Sequence, residues 1–452
     1  MAAIAAFFSS TWLALVIFCT GTAAVLRLVG TSLMALMAGK GKAGAIAAVT
    51  SPEGLKLVFA ALRAFAPVLV LKRVLVKSYP NKGTAIVSRC SDVHEVIDRE
   101  ADFEVVYAPR MAVVTNGGNF FLGMQDSPTY ARDVSNMRLV IRREDIPGRV
   151  VPLVKAKAEA ALADVTLRKL DVPQQLSLPV ATALVTDYFG LNGATETQLI
   201  NWASSMFQFL FLDLGNDPNV TASATIAATE CRAFLDAAVQ NRKQHAGPQD
   251  DILTRCLALQ AAGFPGMTDL DIRNNLIGMV IGAIPTTSSA AVRVLNQLLD
   301  RPQALAAAAE AARSNNDAAL AAIVFEALRF DPLNPVIFRR ATKTTTIARG
   351  TCRARTIPEG TMVFASNLSA MFDPLTVVSP GEFRAGRPAA DYILWGVGLH
   401  TCFGGHINSV SIPGLLKPLL ARPGLRRAAG AAGRIDSAGT PFPVHFWVDF
   451  QN

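Results

Sequence analysis

A cysteine can act as a nucleophile, a metal ligand, half of a disulfide or a small buried hydrophobe. Among the 452 residues, Cys402 is the cysteine whose neighbours argue for chemistry. It lies in Trp395-Gly396-Val397-Gly398-Leu399-His400-Thr401-Cys402-Phe403-Gly404-Gly405-His406. A thiolate ligand must be deprotonated, shielded from water and approached by hydrogen-bond donors. Gly398 and Gly404 let backbone N–H groups come close, because no Cβ intervenes. A helix starting just after Cys402 would bring its positive dipole end to the anion. Trp395 or Phe403 can shield one side, and His400 can reach a carboxylate. Two rival chemistries use the same residues. Cys402 with His400 and His406 would make a metal cluster, but no fourth ligand has suitable spacing. A Cys/His nucleophile would need a third, orienting group.

Two further groupings carry chemistry. Glu326-Ala327-Leu328-Arg329 places an acid and a base three apart, on one helical face, where they can pair. Gly282-Ala283-Ile284-Pro285-Thr286-Thr287 lies at the centre of a helical stretch from Asp271 to Asp300, with Thr268 and Asp271 able to form a capping box at its start. Thirty residues of helix span about 45 Å, enough to cross a domain. Pro285 removes one N–H and clashes with the carbonyl of Ile281, so a kink and an open groove are predicted there.

The cysteine segment resembles the haem-binding loop of the cytochrome P450 family. That pattern is an aromatic, two residues, Gly, one residue, His or Arg, one residue, Cys, one residue, Gly. Trp395, Gly398, His400, Cys402 and Gly404 match it in order, with Trp where Phe is usual. The resemblance covers most of the chain from about residue 80. It implies haem b with the Cys402 thiolate as axial ligand, and a buried network of Glu326 and Arg329 closed by Arg387, with Asp373-Pro374 in the preceding loop. Arg339 is the implied propionate partner, with Arg340 as its substitute. Phe120 to Met124 followed by Asp126-Ser127-Pro128 resembles the loop before a helix crossing a haem face, from which Tyr130 and Arg132 would reach propionates. The family also has, in its long helix, a small residue, Gly, one residue, then an acid and an alcohol that deliver protons to bound dioxygen. With Gly282 aligned, Ile284 takes the place of the acid and Pro285 that of the alcohol. Thr286 or Thr287 is the replacement alcohol, and no carboxylate stands in either register.

The implied activity is a monooxygenase inserting one oxygen atom into a lipophilic small molecule. The substrate would lie among the Phe103–Met124 region, the segment around Met206–Phe211 and the helix near Gly282. The missing acid keeps open a peroxide- or hydroperoxide-using enzyme; a haem sensor and a haem-free membrane protein are more distant readings. No fused flavin or iron–sulfur domain is legible, so electrons would come from a separate reductase, unless peroxide replaces it.

These groups need elements to hold them. Residues 155–330 read as mostly helix, 331–395 as strand, turn and loop with repeated Pro and Gly, and a last helix should follow Cys402. Short strands are predicted at Thr84–Val87 and Phe103–Tyr107, with a β-rich tail at Phe446–Phe450. The fold expected is mainly α with small β-sheets, the cytochrome P450 fold that the resemblance implies, preceded by a transmembrane helix. Only 17% of the chain is charged and 51% is hydrophobic, which fits much apolar surface, buried or facing lipid. The net charge of +8 comes without a run of five like charges, so nucleic acid is a poor partner. The six cysteines are scattered, read as reduced, and apart from Cys402 read as small buried hydrophobes.

Ala2 to Leu26 carries no charge, long enough to cross a bilayer. Positive charge follows at Arg27, Lys40 and Lys42, which by the positive-inside rule turns the rest of the chain to the cytosol. Leu55 to Leu71, broken by Lys56 and Arg63, reads as an interfacial or core helix. The predicted organisation is therefore an anchor helix over 1–30, an interfacial connection over 31–80 and a haem-thiolate catalytic domain over 81–452, held at a membrane by a single pass.

Overall fold

The Thr268 hydroxyl accepts from the N–H of Asp271, whose carboxylate accepts from the N–H of Thr268, closing the capping box. From it a helix of 31 residues runs through Pro285 as one element. The computed structural model describes residues 2–39, 41–163, 168–245 and 247–451. In chain order its helices are α1 (Ala2–Met37), α2 (Gly41–Thr50), α3 (Pro52–Phe65), α4 (Cys90–Asp98), α5 (Ala108–Thr115), α6 (Pro128–Val140), α7 (Val151–Ala163) and α8 (Leu178–Ala183). There follow α9 (Glu196–Phe207), α10 (Pro218–Gln244), α11 (Ile252–Ala261), the long α12 (Asp269–Leu299), α13 (Pro302–Arg313), α14 (Asp317–Phe330), α15 (Asn367–Ala370) and α16 (Gly405–Leu420). The strands are β1 (Val68–Leu71), β2 (Gly83–Val87), β3 (Phe103–Glu104), β4 (Lys169–Asp171), β5 (Ile337–Ala341), β6 (Thr345–Ile347), β7 (Arg355–Ile357), β8 (Thr361–Ala365), β9 (Arg426–Arg427) and β10 (Trp447–Asp449).

The chain divides into two compact units. The first takes residues 1–76, 80–104 and 329–399. Its sheet has the order β1-β2-β8-β5-β3, parallel only between β2 and β8. Beneath it Val87, Val93, Ile97, Phe103, Val363 and Ile393 form an apolar core. β6 and β7 make a separate hairpin. The same unit carries the N-terminal helices. Ile17, Gly21 and Ala24 repeat at helical spacing on the buried side of α1. A Cβ on Gly21 would sit 2.2 Å from the Cβ of Ala64, so α1 and α3 pack backbone to backbone there. Phe18 and Phe65 meet edge to face beside it. α3 is fastened in turn by buried Arg63, which donates to the carbonyl and hydroxyl of Ser369.

The second unit takes residues 77–79, 105–328 and 400–452 and is built on α12. α8, α9, α10 and α16 all pack along it. β4, β10 and β9 make its small antiparallel sheet.

Several sequence expectations change. Leu55–Leu71 is not one helix: Pro67 removes a donor and the β-branched Val68 and Val70 turn the last residues into β1. The strand at Phe103–Tyr107 ends at Glu104, where pairing with β5 stops. α1 runs on past residue 30 to Met37, since no stop signal precedes Gly39, whose φ is 73°. Cys90, Cys231 and Cys256 are buried as small hydrophobes, but Cys19 and Cys352 are exposed. Cys19 lies on an outward side of α1, and Cys352 in the turn before β7.

Candidate haem site

In the second unit Cys402 ends a loop, and α16 starts three residues later. Gly404 takes the N-cap position, so the first N–H groups of the helix turn back toward the sulfur. The backbone N–H groups of Gly404 and Gly405 pull the thiol proton affinity down, while burial pushes it up more strongly. Yet the residue is exposed at its surface. The sulfur is thus reachable, yet closely surrounded by protein atoms.

Phe403 stacks on Phe121, with ring centres 4.9 Å apart. It is therefore Phe403 that shields the loop on this side. His400 Nε2–H donates to the Met124 carbonyl at 2.8 Å, and its ring lies 5.0 Å from that of Tyr130. Arg132 is not brought to this place. Two residues along α6, it points to the other side, paired with Asp133 and lying against Gly266. His406 Nε2 is buried without a partner, and burial with the charge of Arg143 holds its pKa below the usual value. Among the described residues no three of His, Cys, Asp or Glu are grouped to hold a metal ion.

α12, in the same unit, carries the second group of candidate residues. Nearly all its central residues are buried, but Gly278 and Thr286 are half-buried and Gly282 is exposed. Spaced four apart, these make one open stripe. A Cβ on Gly282 would meet no atom within 4 Å, whereas one on Gly278 would lie 2.6 Å from the Phe120 ring. The Thr286 hydroxyl donates to the Gly282 carbonyl. Thr287 points away, donating to Asn408 of α16 at 3.0 Å. The open face thus takes Thr286 as its hydroxyl, not Thr287. The alignment moves by one: Pro285, not Ile284, precedes the alcohol, and both Ile284 and Pro285 are buried. Neither position holds a carboxylate.

In the first unit, Arg329 donates to the carbonyls of Met371 and Glu382, both at 3.1 Å. Arg387 donates to the same Glu382 carbonyl at 2.8 Å and to those of Val378 and Ser379. The two arginines therefore share the Glu382 carbonyl and organise one loop. Glu326, on α14 with Arg329, is fully buried. Arg339 is buried on β5, 3.8 Å from Glu100, and its Nε lacks a partner. Arg340 instead pairs with Glu104, which removes it as the alternative. Gly398 has φ +70°, and Asp98 lies 3.2 Å from where its Cβ would be, so a side chain there is disfavoured twice. Trp395 is half-buried in this unit. Of these features, sequence reasoning missed the Phe120 contact to Gly278 and the Phe121 contact to Phe403; the paired aromatics beside a glycine were the available signal.

With this geometry in place, comparison with known proteins defines the class. The sequence model described as Cytochrome P450 matches residues 82–420, and the chain belongs to that family. Its members are oxidoreductases that bind haem through a cysteine thiolate. The chain is 28% identical over 268 residues to the cyclomarin C epoxidase of Salinispora arenicola, covering 59% of this chain and 64% of that one. It is 25% identical over 368 residues to a bifunctional dioxygenase–epoxy alcohol synthase of Fusarium oxysporum, 74% of this chain and 28% of that one. The erythromycin C-12 hydroxylase of Saccharopolyspora erythraea is 23% identical over 333 residues, 72% and 80% of the two chains. Among solved structures, a cytochrome P450 in complex with an acyl carrier protein carrying hexadec-9Z-enoic acid superposes with TM-score 0.74. It is 20% identical and covers 88% of this chain and 99% of that one.

The residues present fit a haem group. The sulfur is reachable and the N–H groups of Gly404 and Gly405 approach it, as a thiolate ligand requires.

Proposed function

We propose that the protein is a haem-thiolate monooxygenase acting on a lipophilic small molecule, with Cys402 as the residue that would hold the haem iron. The observation that carries this reading is the Cys402 sulfur, reachable and approached by the Gly404 and Gly405 N–H groups. Bound haem supplies the activation of an oxidant and the transfer of one oxygen atom. Cys402 gives up its proton on ligation, and the two N–H groups with the start of α16 stabilise the anion. His400, held by Met124, and Tyr130 are the candidate propionate partners in the second unit. Thr286 holds a hydroxyl on the open face of α12, bonded to the Gly282 carbonyl and able to pass a proton from water. The names of the epoxidase and hydroxylase relatives support the general kind of reaction.

A second reading rests on a specific observation. The acid position beside Thr286 is Pro285, which has no proton to give. An enzyme that receives its O–O bond preformed, in a hydroperoxide, has less need of that acid. The relatives include a dioxygenase–epoxy alcohol synthase and a linoleate diol synthase, the latter 35% identical over 95 residues. Oxygenated products from a fatty-acid hydroperoxide, without reductase or NADPH, would establish this second reading. Product only on adding a reductase and NADPH would establish the monooxygenase.

We also propose that the protein is held at a membrane. From Trp12 to Met37, α1 is apolar, mostly exposed and long enough to cross a bilayer. The charge distribution supports a single pass with the catalytic part on the cytosolic side.

A further inference from the structure

Pro285 has no N–H to donate to the Ile281 carbonyl, so the two halves of α12 are tied less firmly there. Directly after it stand four hydroxyl residues in succession, Thr286, Thr287, Ser288 and Ser289. Successive residues of a helix point about 100° apart. A hydroxyl would therefore meet the open side of α12 in several rotations, and the backbone alone does not select one. Side-chain contacts do. Thr287 and Ser288 are both buried. The Thr287 hydroxyl donates to Asn408 Oδ1 of α16 at 3.0 Å, and the Ser288 hydroxyl shares a hydrogen bond of 2.7 Å with that of Ser177, just before α8. With these two directions fixed, Thr286 is left on the stripe with Gly282.

Asn408 does more than receive a hydroxyl. Its own N–H donates to the Gly404 carbonyl at 3.0 Å. The Gly404 N–H is in turn one of the two that approach the Cys402 sulfur. A run of hydrogen bonds thus leads from the cysteine turn through Asn408 to the residue beside Thr286, all within the second unit. We propose that Asn408 is a positioning residue for oxygen transfer: through Thr287 it sets the rotation of α12 that presents Thr286, and it ties that rotation to the turn carrying Cys402. The proposal rests on the reading of the protein as a haem-thiolate monooxygenase.

A buried amide is a demanding way to pack two helices. Asparagine is a poor helix former, and its carbonyl needs a partner once it is out of water. Leucine facing valine would fill the place without that need. What the amide adds is direction, because a hydrogen bond holds its two groups at one angle and an apolar contact does not.

Three variants separate positioning from packing. Thr287→Ser keeps the hydroxyl. Thr287→Val removes it and leaves the Asn408 carbonyl without its donor. The double variant T287V/N408L makes the contact wholly apolar. Thr287→Val should lower the kcat of product formation with a reductase and NADPH about tenfold, at unchanged KM, and Thr287→Ser should keep the parent's rate. T287V/N408L should regain the parent's melting temperature yet stay as slow as Thr287→Val; recovery of both would mean that Asn408 only packs the helices. In a Thr286→Ala background, Thr287→Val should bring no further loss, because the hydroxyl it orients is gone; an equal loss in both backgrounds overturns the proposal. Amide hydrogen exchange, a readout that needs no turnover, should rise at 284–290 in T287V/N408L and stay unchanged at 269–280. Unchanged exchange at 284–290, or a uniform rise along α12, overturns the positioning role as well. If the unaltered, haem-loaded protein makes no product with reductase and NADPH, the monooxygenase reading fails, while hydrogen exchange still decides whether Asn408 sets the rotation of α12.

Discussion

The thiol of Cys402 is the single atom on which the proposed chemistry depends. Its burial disfavours the thiolate, and only donors at Gly404 and Gly405 favour it, so ligation must supply the rest. Replacing it by serine, Cys402→Ser, keeps the shape of the loop but offers a harder, less acidic ligand. The ferrous carbonyl spectrum should lose its thiolate band, and oxygenation should fall by roughly a hundredfold or more. Thr286 gives a sharper test. General acid–base contributions are typically about 10²–10⁴-fold, so Thr286→Ala should lower reductase-driven product formation by roughly a hundredfold and leave hydroperoxide-driven turnover nearly unchanged. Comparable loss on both routes would mean that the hydroxyl shapes the helix instead of moving protons. The residue-scale consequence of Pro285 is testable too: Pro285→Asp restores a carboxylate beside Thr286 and should raise reductase-driven turnover about tenfold if proton supply is limiting.

At the scale of elements, the segment that follows α6 and the start of α11 are tied by one ion-pair network centred on buried Arg255 and Asp145. Arg255 of α11 pairs with Asp145 at 2.5 Å and with Asp250, and Tyr188 donates to Asp145 at 2.8 Å. Burial raises the pKa of Asp145, but the hydrogen bonds from Arg255 and Tyr188 outweigh it and hold the carboxyl below its ordinary value. A depressed folded-state pKa means stability that is present above the unfolded value, about 4, and lost as pH falls through the folded one. Removing the charge with Asp145→Asn leaves the guanidinium of Arg255 with Asp250 as its remaining carboxylate partner and should cost about 2 kcal/mol near neutral pH. The same variant should lose less stability than the parent on acidification, as urea melts between pH 7 and 3 would record. Parallel pH profiles for the two proteins would put the acid sensitivity elsewhere.

At the scale of the whole molecule, the N-terminal helix poses a packing question. A span over Trp12–Met37 would put Gly21 and Ala24 near the middle of a bilayer, yet Gly21 packs on Ala64 of α3. α3 is hooked into its unit by Arg63. The apolar exposure of Trp12, Leu15, Leu26, Val29, Leu33 and Met34 still calls for a lipid surface. Deleting residues 1–50 should move the protein from the membrane pellet to the supernatant, and Gly21→Leu, which forces α1 off Ala64, should leave it in the pellet. A deletion variant that still sediments with membranes would defeat the anchor.

The reading of Cys402 needed no structure, because a thiolate site demands small residues and donors within a few positions, and that demand is written locally. The same holds for the start of α12, where a capping box is four consecutive residues. The fold class was legible for a related reason: helical periodicity over 155–330 is strong because long amphipathic and buried helices repeat their pattern many times. What depends on facing could not be read this way. Whether Thr286 or Thr287 meets the open face turns on the rotation of α12, and that is set by Asn408 and Phe120, distant in the chain. Arg132 looked equivalent to Tyr130 until the helix turned it the other way, toward Gly266. The bond from Thr287 to Asn408 spans 121 positions, and an asparagine in an apolar helix carries no mark of its partner. Local chemistry was determined by the sequence itself; which groups share a space was decided by tertiary packing, because contact between distant segments depends on the orientation of every element between them.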